Sequence, residues 1–168
     1  MNIVKYPDEW LNTVCEPYDF EKDGDPQELV RGMIETMLEN DGIGLAAPQV
    51  QCNKAVFVFR PFNIEGHTDP IAVFNPSIIN VGSGLDTADE GCLSHPGLVL
   101  SIKRPDSVTT EYLDIYGQKR VLFLQGIDAR CFLHEFDHLC GTDFTHRVSK
   151  LKREMALKKL NKRKKVHG

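Results

Sequence analysis

His134-Glu135-Phe136-Asp137-His138 is the segment from which the organisation of this 168-residue chain can be worked out. Residues four apart on an α-helix lie on one face, one turn apart, so the two imidazoles can bind a single metal ion. Glu135, beside the first histidine, can then reach a water molecule on that ion. The alternative is a core helix with two incidental histidines. The pattern favours a catalytic metal site.

The residues around this segment predict that it lies on a buried helix. Gly126 and Asp128 can begin the helix, and Gly141 can end it in a left-handed cap. Between these positions apolar residues recur at helical spacing, namely Ala129, Phe132, Leu133, Phe136, Leu139 and Cys140. We therefore expect the metal site to lie on a central helix of the fold.

The order of the other elements predicts an α+β fold. A helix capped by Asp25 is expected to end near Gly42. Residues 54–124 contain short apolar runs separated by turn residues, which is typical of antiparallel strands. Ser149 can cap a last helix. We predict antiparallel β-sheets packed around the central metal-binding H-E-x-x-H helix, with an N-terminal helix and a basic C-terminal helix.

The length and composition indicate one globular domain over residues 1–168, with residues 149–168 as its basic C-terminal helix or tail. The chain is 41% hydrophobic and 26% charged, which is ordinary for a folded domain. No apolar run approaches the roughly 20 residues that a membrane-spanning helix needs. We therefore expect no membrane partner.

Five cysteines are spread along the chain without a C-x-x-C pair, at Cys15, Cys52, Cys92, Cys131 and Cys140. The amino terminus has the pattern of neither a secretory signal nor a transit peptide. Reduced thiols in a cytoplasm are therefore predicted, either bacterial or that of a phage-infected cell. An organelle is the less favoured location.

The net charge of −4 conceals an asymmetry between the two parts of the chain. Residues 147–168 contain ten Lys and Arg and a single acid, Glu154. Residues 1–146 contain 10 bases and 23 acids. An acidic body with a basic tail predicts that the tail binds a polyanion, although a solvated charged helix end is the plainer alternative.

The third metal ligand cannot be read from the helix itself. Catalytic metal sites usually have three protein ligands and one open position, and the longer H-E-x-x-H-x-x-G-x-x-H pattern fails here at Phe144. Cys131 lies about 10 Å along the helix axis from the second histidine, which is too far for a thiol, and Cys140 points away. His146 and Cys92 are the candidates that this reasoning leaves open.

A loop rich in small residues, Gly42-Ile43-Gly44-Leu45-Ala46-Ala47-Pro48-Gln49, precedes the first predicted strand. Two glycines and two alanines permit the close approach of another backbone or of a ligand. A phosphate-binding loop is disfavoured, because no G-K-S/T sequence follows. A simple tight turn is the alternative.

Three motifs together resemble those of the peptide deformylases: Gly42 to Gln49, Glu90-Gly91-Cys92-Leu93-Ser94, and His134 to His138. Their order and separations match, and the opening residues 3–7 and Arg104 extend the resemblance over most of the chain. Two departures from the family are Leu133, where many members have glutamine, and His95, where an apolar residue is common. We expect both to alter the rim of the substrate pocket.

The resemblance implies hydrolysis of the formyl group from N-formylmethionine at the start of nascent chains. It places the metal on Cys92, His134 and His138. It assigns proton transfer to Glu135, and the donors to the formyl oxygen are the Leu93 backbone N–H and the Gln49 side-chain amide. The substrate-binding residues that it implies are Ile43, Gly44, Leu45 and Gly91, and the pair expected to support the cysteine loop is Glu90 and Arg104.

The chemistry of the ligands and the resemblance to the peptide deformylases predict different metals. Two imidazoles and a thiolate favour zinc by ligand type alone. The resemblance instead implies Fe(II), with nickel or cobalt as active substitutes and zinc as a poorer one. Two rival functions are a zinc endopeptidase that uses His146 and a binding module with a fourth structural ligand. The expected partners are formylmethionyl nascent peptides and, through the tail, the ribosome; no specific DNA is expected.

Overall fold

The computed structural model describes residues 1–64 and 69–167, and within them the chain forms two antiparallel sheets and three α-helices. The helices are α1 (Pro26–Glu39), α2 (Gly126–Leu139) and α3 (Lys150–His167). The strands are β1 (Gly44–Ala46), β2 (Val56–Phe59), β3 (Ile71–Val81), β4 (Leu85–Gly91), β5 (Val99–Pro105), β6 (Ser107–Leu113) and β7 (Lys119–Gln125). One sheet has the order β1-β2-β3-β6-β7 and the other consists of β4 and β5, which confirms the predicted α+β class.

Helix α1 begins and ends where its capping residues predict. The Asp25 carboxylate accepts a hydrogen bond from the Gln27 backbone N–H at 2.8 Å, and Pro26 occupies the first helical position. Met33 and Met37 are completely buried against the five-stranded sheet. Their packing holds α1 against the same sheet that carries β1.

Helix α2 lies at the centre of the fold, as predicted. Phe132 packs edge-to-face on Phe57 of β2, with ring centroids 5.1 Å apart, and Gly141 ends the helix in a left-handed conformation, φ 68°. Gly126 begins the helix, as predicted, whereas Asp128 lies in the first turn and does not cap it. Its carboxylate instead accepts hydrogen bonds from the backbone N–H groups of residues 62 and 63, each at 2.8 Å, and so holds that loop on α2.

The sequence pattern did not predict strands β4 and β5, nor the short strand β1, which lies in the segment interpreted as a loop. Leu85–Gly91 reads Leu-Asp-Thr-Ala-Asp-Glu-Gly, which lacks the alternation of apolar residues expected of a half-buried strand. It is nevertheless paired along its whole length with Val99–Pro105. Glu90 and Gly91 therefore end a strand, and Cys92 follows directly from it.

Helix α3 packs on the body through only part of the set of residues that its helical spacing suggests, namely Ala156 and Leu160. Leu160 is buried in an apolar cluster with Leu98, Leu100, Ile102 and Phe144. The helical spacing of Leu151 and Met155 predicts that they also pack on the body, but this prediction is wrong, since they are 68% and 63% exposed. The Ser149 hydroxyl does cap the helix, because it accepts a hydrogen bond from the Lys152 N–H at 3.3 Å. The tail side chains from 163 onward lie outside the described residues.

Candidate metal centre

One thiol and two imidazoles from different elements converge at a single point. The ligand atoms of Cys92, His134 and His138 all lie within 4.8 Å of one another. The Cys92 Sγ and the His138 Nε2 are 3.3 Å apart. The two histidines lie one turn apart on α2, whereas Cys92 comes from the end of β4. A thiolate and two imidazoles are the ligands that Zn²⁺, Fe²⁺, Co²⁺ and Ni²⁺ accept, so these residues fit a divalent transition metal.

The competing candidate ligands lie elsewhere. The Cys131 thiol lies 3.5 Å from the Ile43 carbonyl oxygen, and burial raises its pKa well above the ordinary value. Cys140 is exposed, as the helix geometry predicts. The His146 imidazole is paired with Asp143 at 3.3 Å, in the short helical turn that follows α2. The structure therefore brings Cys92, and none of these three, to the two histidines.

The orientation of His134 is set by Glu90 on the neighbouring strand. The Glu90 Oε2 lies 3.0 Å from the His134 Nδ1, which leaves the Nε2 atom to face Cys92 and His138. Arg104 donates to both oxygens of Glu90, from Nε at 2.6 Å and from Nη2 at 2.9 Å. Burial would raise the pKa of Glu90, but the hydrogen bonds from His134 and Arg104 lower it to about 2. The predicted contact between Glu90 and Arg104 is present.

Three further charged residues join this network and were missed in the sequence. The Arg104 Nη1 donates to Asp137 of α2 at 2.9 Å, and Arg147 donates to the same carboxylate from its Nε at 3.0 Å. Arg130, also on α2, donates to the Glu90 Oε1 at 2.8 Å. Charged residues within an otherwise apolar helix are a sequence signal that such side chains have buried partners. The partners lie on distant segments and cannot be read from spacing.

Glu135 is buried next to the ligand cluster. Its side chain is 4% exposed, and burial raises its pKa to about 7. Among the residues that the structure describes, its Oε2 atom has no hydrogen-bond partner. An unpartnered carboxylate oxygen beside three side chains that could hold a metal ion is available to a water molecule or to a substrate. It can therefore exchange protons there.

Gln49 is oriented toward the same point. Its side-chain oxygen accepts a hydrogen bond from the Ala46 N–H at 2.8 Å. This bond turns the amide nitrogen toward the Ser94 hydroxyl, at 3.0 Å, and the Cys92 Sγ, at 3.5 Å. At Leu93, the carbonyl oxygen accepts a hydrogen bond from the Lys5 ammonium at 2.6 Å. Gln49 and Leu93, the two donor residues that the resemblance implies, both line the cleft beside Cys92.

A cleft of about 390 Å³ opens over the cluster. Its lining includes Ile43, Gly44, Gln49, Gly91, Leu93, Ile127, Arg130, Cys131 and Glu135. Strand β1 forms one side and is the edge strand of the five-stranded sheet. The Leu45 side chain is completely buried beneath the sheet, so this residue can offer only its backbone to the cleft.

Leu133 and His95 do not line this cleft, contrary to the expectation that they alter its rim. Leu133 is buried in the apolar core around α2. His95 is 1% exposed and stacks on Tyr6, with ring centroids 5.2 Å apart. Its Nε2 lies 3.3 Å from the Asp143 carboxylate. Both departures from the family pattern therefore act on internal packing behind the site.

Comparison with known proteins gives one consistent result. A family model described as polypeptide deformylase matches residues 1–154. The peptide deformylase of Neisseria gonorrhoeae is 41% identical over 98% of this chain and 96% of its own length. The crystal structure of peptide deformylase from Ehrlichia chaffeensis has a TM-score of 0.88 and 35% identity, and the match covers 99% of this chain and 98% of that one. A structure of the Ehrlichia chaffeensis enzyme in complex with actinonin has a TM-score of 0.87 and 38% identity, over 97% of this chain and 96% of that one.

Proposed function

The chain belongs to the polypeptide deformylase family, and from this we propose how its own residues carry out the reaction. The enzyme is a hydrolase that removes the formyl group from nascent polypeptides. We assign Cys92, His134 and His138 as the ligands of its metal ion. The observation that carries the assignment is the convergence of one thiol and two imidazoles within 4.8 Å, beneath a cleft that is open to a peptide.

Glu135 moves the protons in this proposal. Cys92, His134 and His138 would hold a divalent metal ion, which would supply a water molecule of lowered pKa as the nucleophile. The free Glu135 oxygen accepts a proton from the attacking water and returns it to the departing amine nitrogen of methionine. Because Glu135 is 4% exposed, its carboxylate has little contact with bulk water.

Two donors stabilise the charge that develops on the formyl oxygen. The Gln49 amide nitrogen is aimed at the ligand cluster, since the oxygen of the same amide is held by the Ala46 N–H. The Leu93 backbone N–H belongs to the peptide segment that follows Cys92. Donors that are fixed before the substrate binds lose little energy in reorganising, which makes them effective in the transition state.

The substrate peptide adds to the free edge of β1 in this proposal. Within the described residues β1 pairs with β2 alone, so its other edge can hydrogen-bond an extended peptide through the backbone of residues 43–45. Ile43 is 41% exposed and is available to contact the methionine side chain. Gly91 lines the opposite wall and leaves room for the peptide. The actinonin complex of the Ehrlichia chaffeensis relative supports a ligand site in this family.

Formate release tests this function directly. Purified protein is incubated with a formyl-methionyl tripeptide, and formate is measured. The matched control is the acetyl-methionyl form of the same peptide, which differs by one methyl group. We expect formate from the first and negligible acetate from the second. Cleavage of an unformylated protein would indicate an endopeptidase, and the absence of formate from metal-loaded protein would indicate a binding module.

We propose Fe(II) as the native metal. Members of this family are metalloenzymes, and the side chains of Cys92, His134 and His138 fit several divalent ions. The resemblance to deformylases is the reason to prefer iron over the zinc that ligand type alone suggests. Nickel and cobalt are expected to support activity, and zinc to support less.

We also propose that α3 attaches the enzyme to the ribosome. Lys158, Lys159 and Lys162 are exposed on the helix, whereas Leu160 between them is buried in the body. The lysines therefore project from a helix that is anchored to the domain. Lysine side chains placed opposite RNA phosphates gain affinity by releasing counterions. The nascent substrate emerges from a particle whose surface presents such phosphates.

A cytoplasmic location of bacterial type is our remaining proposal. All five cysteines are free thiols, which fits a reducing compartment. No helix in the described ranges has the length and apolar character needed to cross a membrane. Two curated relatives, 41% and 40% identical to this chain, are bacterial, whereas one that is 38% identical is a chloroplast protein of rice.

A further inference from the structure

The proposed metal ligands lie on two structural units that share no strand pairing within the described residues. His134 and His138 belong to α2, which packs on the five-stranded sheet. Cys92 follows β4, which pairs with β5 in the separate two-stranded sheet. The distance between the thiol and the two imidazoles therefore depends in part on side chains that connect α2 to the β4–β5 hairpin.

Arg130 makes that connection at three points. From α2, its Nη1 donates to the Glu90 Oε1 at 2.8 Å and to the Ile102 carbonyl oxygen at 2.9 Å. Its Nη2 donates to the Asp86 carbonyl oxygen at 3.0 Å and to the Asp86 carboxylate at 3.1 Å. These contacts reach both strands of the hairpin and span β4 from its beginning to its end. The Arg130 side chain is only 11% exposed, so the contacts are largely shielded from water.

Glu90 shows why this connection bears on the metal site. Its Oε1 receives donors from Arg104 and Arg130, and its Oε2 receives donors from Arg104 and His134. A carboxylate with every position occupied cannot rotate without losing hydrogen bonds. Arg130 thus restrains the carboxylate that orients His134, and also the strand that ends beside Cys92.

We propose that Arg130 is a positioning residue for the metal site, which sets the placement of Cys92 relative to His134 and His138. The inference rests on the ligand set assigned above. Arg104, on β5, also binds Glu90 and reaches α2 through Asp137. Arg130 adds a connection that runs from α2 to both strands of the hairpin, so its loss should loosen the site without removing a ligand.

Cobalt-loaded protein provides the test. We compare Arg130→Met, which keeps an unbranched apolar stem but removes the guanidinium, with Arg130→Lys and with the surface control Arg120→Gln. Arg120 contributes only an exposed pair with Asp114. The rate of Co²⁺ loss to excess chelator, the visible spectrum of thiolate-bound Co²⁺ and the thermal midpoint are measured for each protein.

For Arg130→Met we expect Co²⁺ to dissociate about tenfold faster or more, as is typical when a residue supporting metal ligands is removed. The thiolate-to-cobalt absorption should change in position or intensity, because the Cys92–metal geometry changes. Arg130→Lys should recover part of the loss, and Arg120→Gln should match wild type. A lowered thermal midpoint together with wild-type cobalt loss and spectrum would overturn the proposal, since Arg130 would then act on stability alone.

Two further variants keep the test decisive. If Arg130→Met does not fold, Arg130→Lys and Asp86→Asn take its place. Asp86 is the exposed partner of Arg130. We expect each of these variants to lose cobalt roughly threefold faster than wild type, because each weakens the contact between α2 and the hairpin without removing it. Rates equal to that of Arg120→Gln would overturn the proposal.

Cys92→Ser is included to test the ligand set itself. If it retains cobalt like wild type, the assignment of Cys92 has failed, whereas a defective Cys92→Ser with a normal Arg130→Met overturns only the role of Arg130.

Discussion

Gly44 of β1 lies directly against the carboxylate of Glu135 on α2. A Cβ atom added to Gly44 would overlap the Glu135 Oε1, and it would also lie 2.8 Å from the carboxyl carbon. The edge strand proposed to bind the peptide and the residue proposed to move its protons are therefore in contact. The absence of a side chain at position 44 is what permits this contact.

Gly44→Ala should reduce deformylation by displacing Glu135, with retention of the metal. We expect a loss of roughly 10²-fold in kcat, at the lower end of the range for removing an acid–base group. The measurement is kcat together with metal content. A double-mutant cycle with Glu135→Gln provides the check. If the alanine lowered kcat by the same factor in both backgrounds, the effect would not pass through Glu135.

Glu135→Gln should keep the metal and lose most of the activity. The amide has nearly the same shape as the carboxylate but cannot accept the proton, so a fall of about 10²- to 10⁴-fold is expected. Formate release and metal content are measured on the same preparation. A variant with half the wild-type rate would show that another group is the base.

Cys92→Ser should weaken metal retention far more than Cys131→Ser or Cys140→Ser. Only the Cys92 thiol lies with the two imidazoles, whereas Cys131 contacts a backbone carbonyl and Cys140 is exposed. The metal content of the three variants after dialysis against a chelator decides the matter. Equal retention in all three would contradict the ligand assignment.

Activity of the enzyme prepared with Fe(II) should decay in air and persist when nickel replaces iron. A ferrous ion with an open position and a thiolate ligand are both exposed to oxidation. Activity is followed over time with and without catalase, which should slow the decay by removing peroxide. Full, air-stable activity in protein that contains one equivalent of zinc would rule out iron as the required metal.

Replacement of Lys158, Lys159 and Lys162 by glutamine should weaken ribosome binding without changing the hydrolysis of a free formyl-methionyl tripeptide. These side chains are exposed, and the variant keeps the buried Leu160 that anchors α3. Co-sedimentation with ribosomes at low salt should fall, because fewer phosphate contacts remain. The matched control is a single triple variant, Lys22→Gln with Lys119→Gln and Arg120→Gln, which removes three positive charges elsewhere on the surface. Equal sedimentation of the two triple variants would leave α3 without a role in binding.

Much of the site could be predicted because its central relationships are local. The i, i+4 spacing places His134 and His138 on one helix face whatever surrounds them, and Glu135 follows from the same geometry. Capping residues likewise marked the beginning of α1 and the end of α2. The third ligand was different, since spacing left both Cys92 and His146 open and only the resemblance to a family favoured Cys92.

What the sequence pattern could not supply depends on contacts between distant segments. Strand β4 has no apolar alternation to reveal it, because its stability comes from pairing with β5. Leu151 and Leu160 have similar apolar character, yet only Leu160 meets the cluster that buries it.

Local spacing therefore determines one part of the metal site, and tertiary packing determines the other. The position of the two histidines relative to each other is a property of the helix backbone and can be read from five consecutive residues. The position of Cys92 relative to them is not, because that residue lies 46 positions from His138 along the chain. The packing of the core and the contacts of Arg130 bring the hairpin and the helix together, and side-chain contacts between remote segments leave no periodic trace in the sequence.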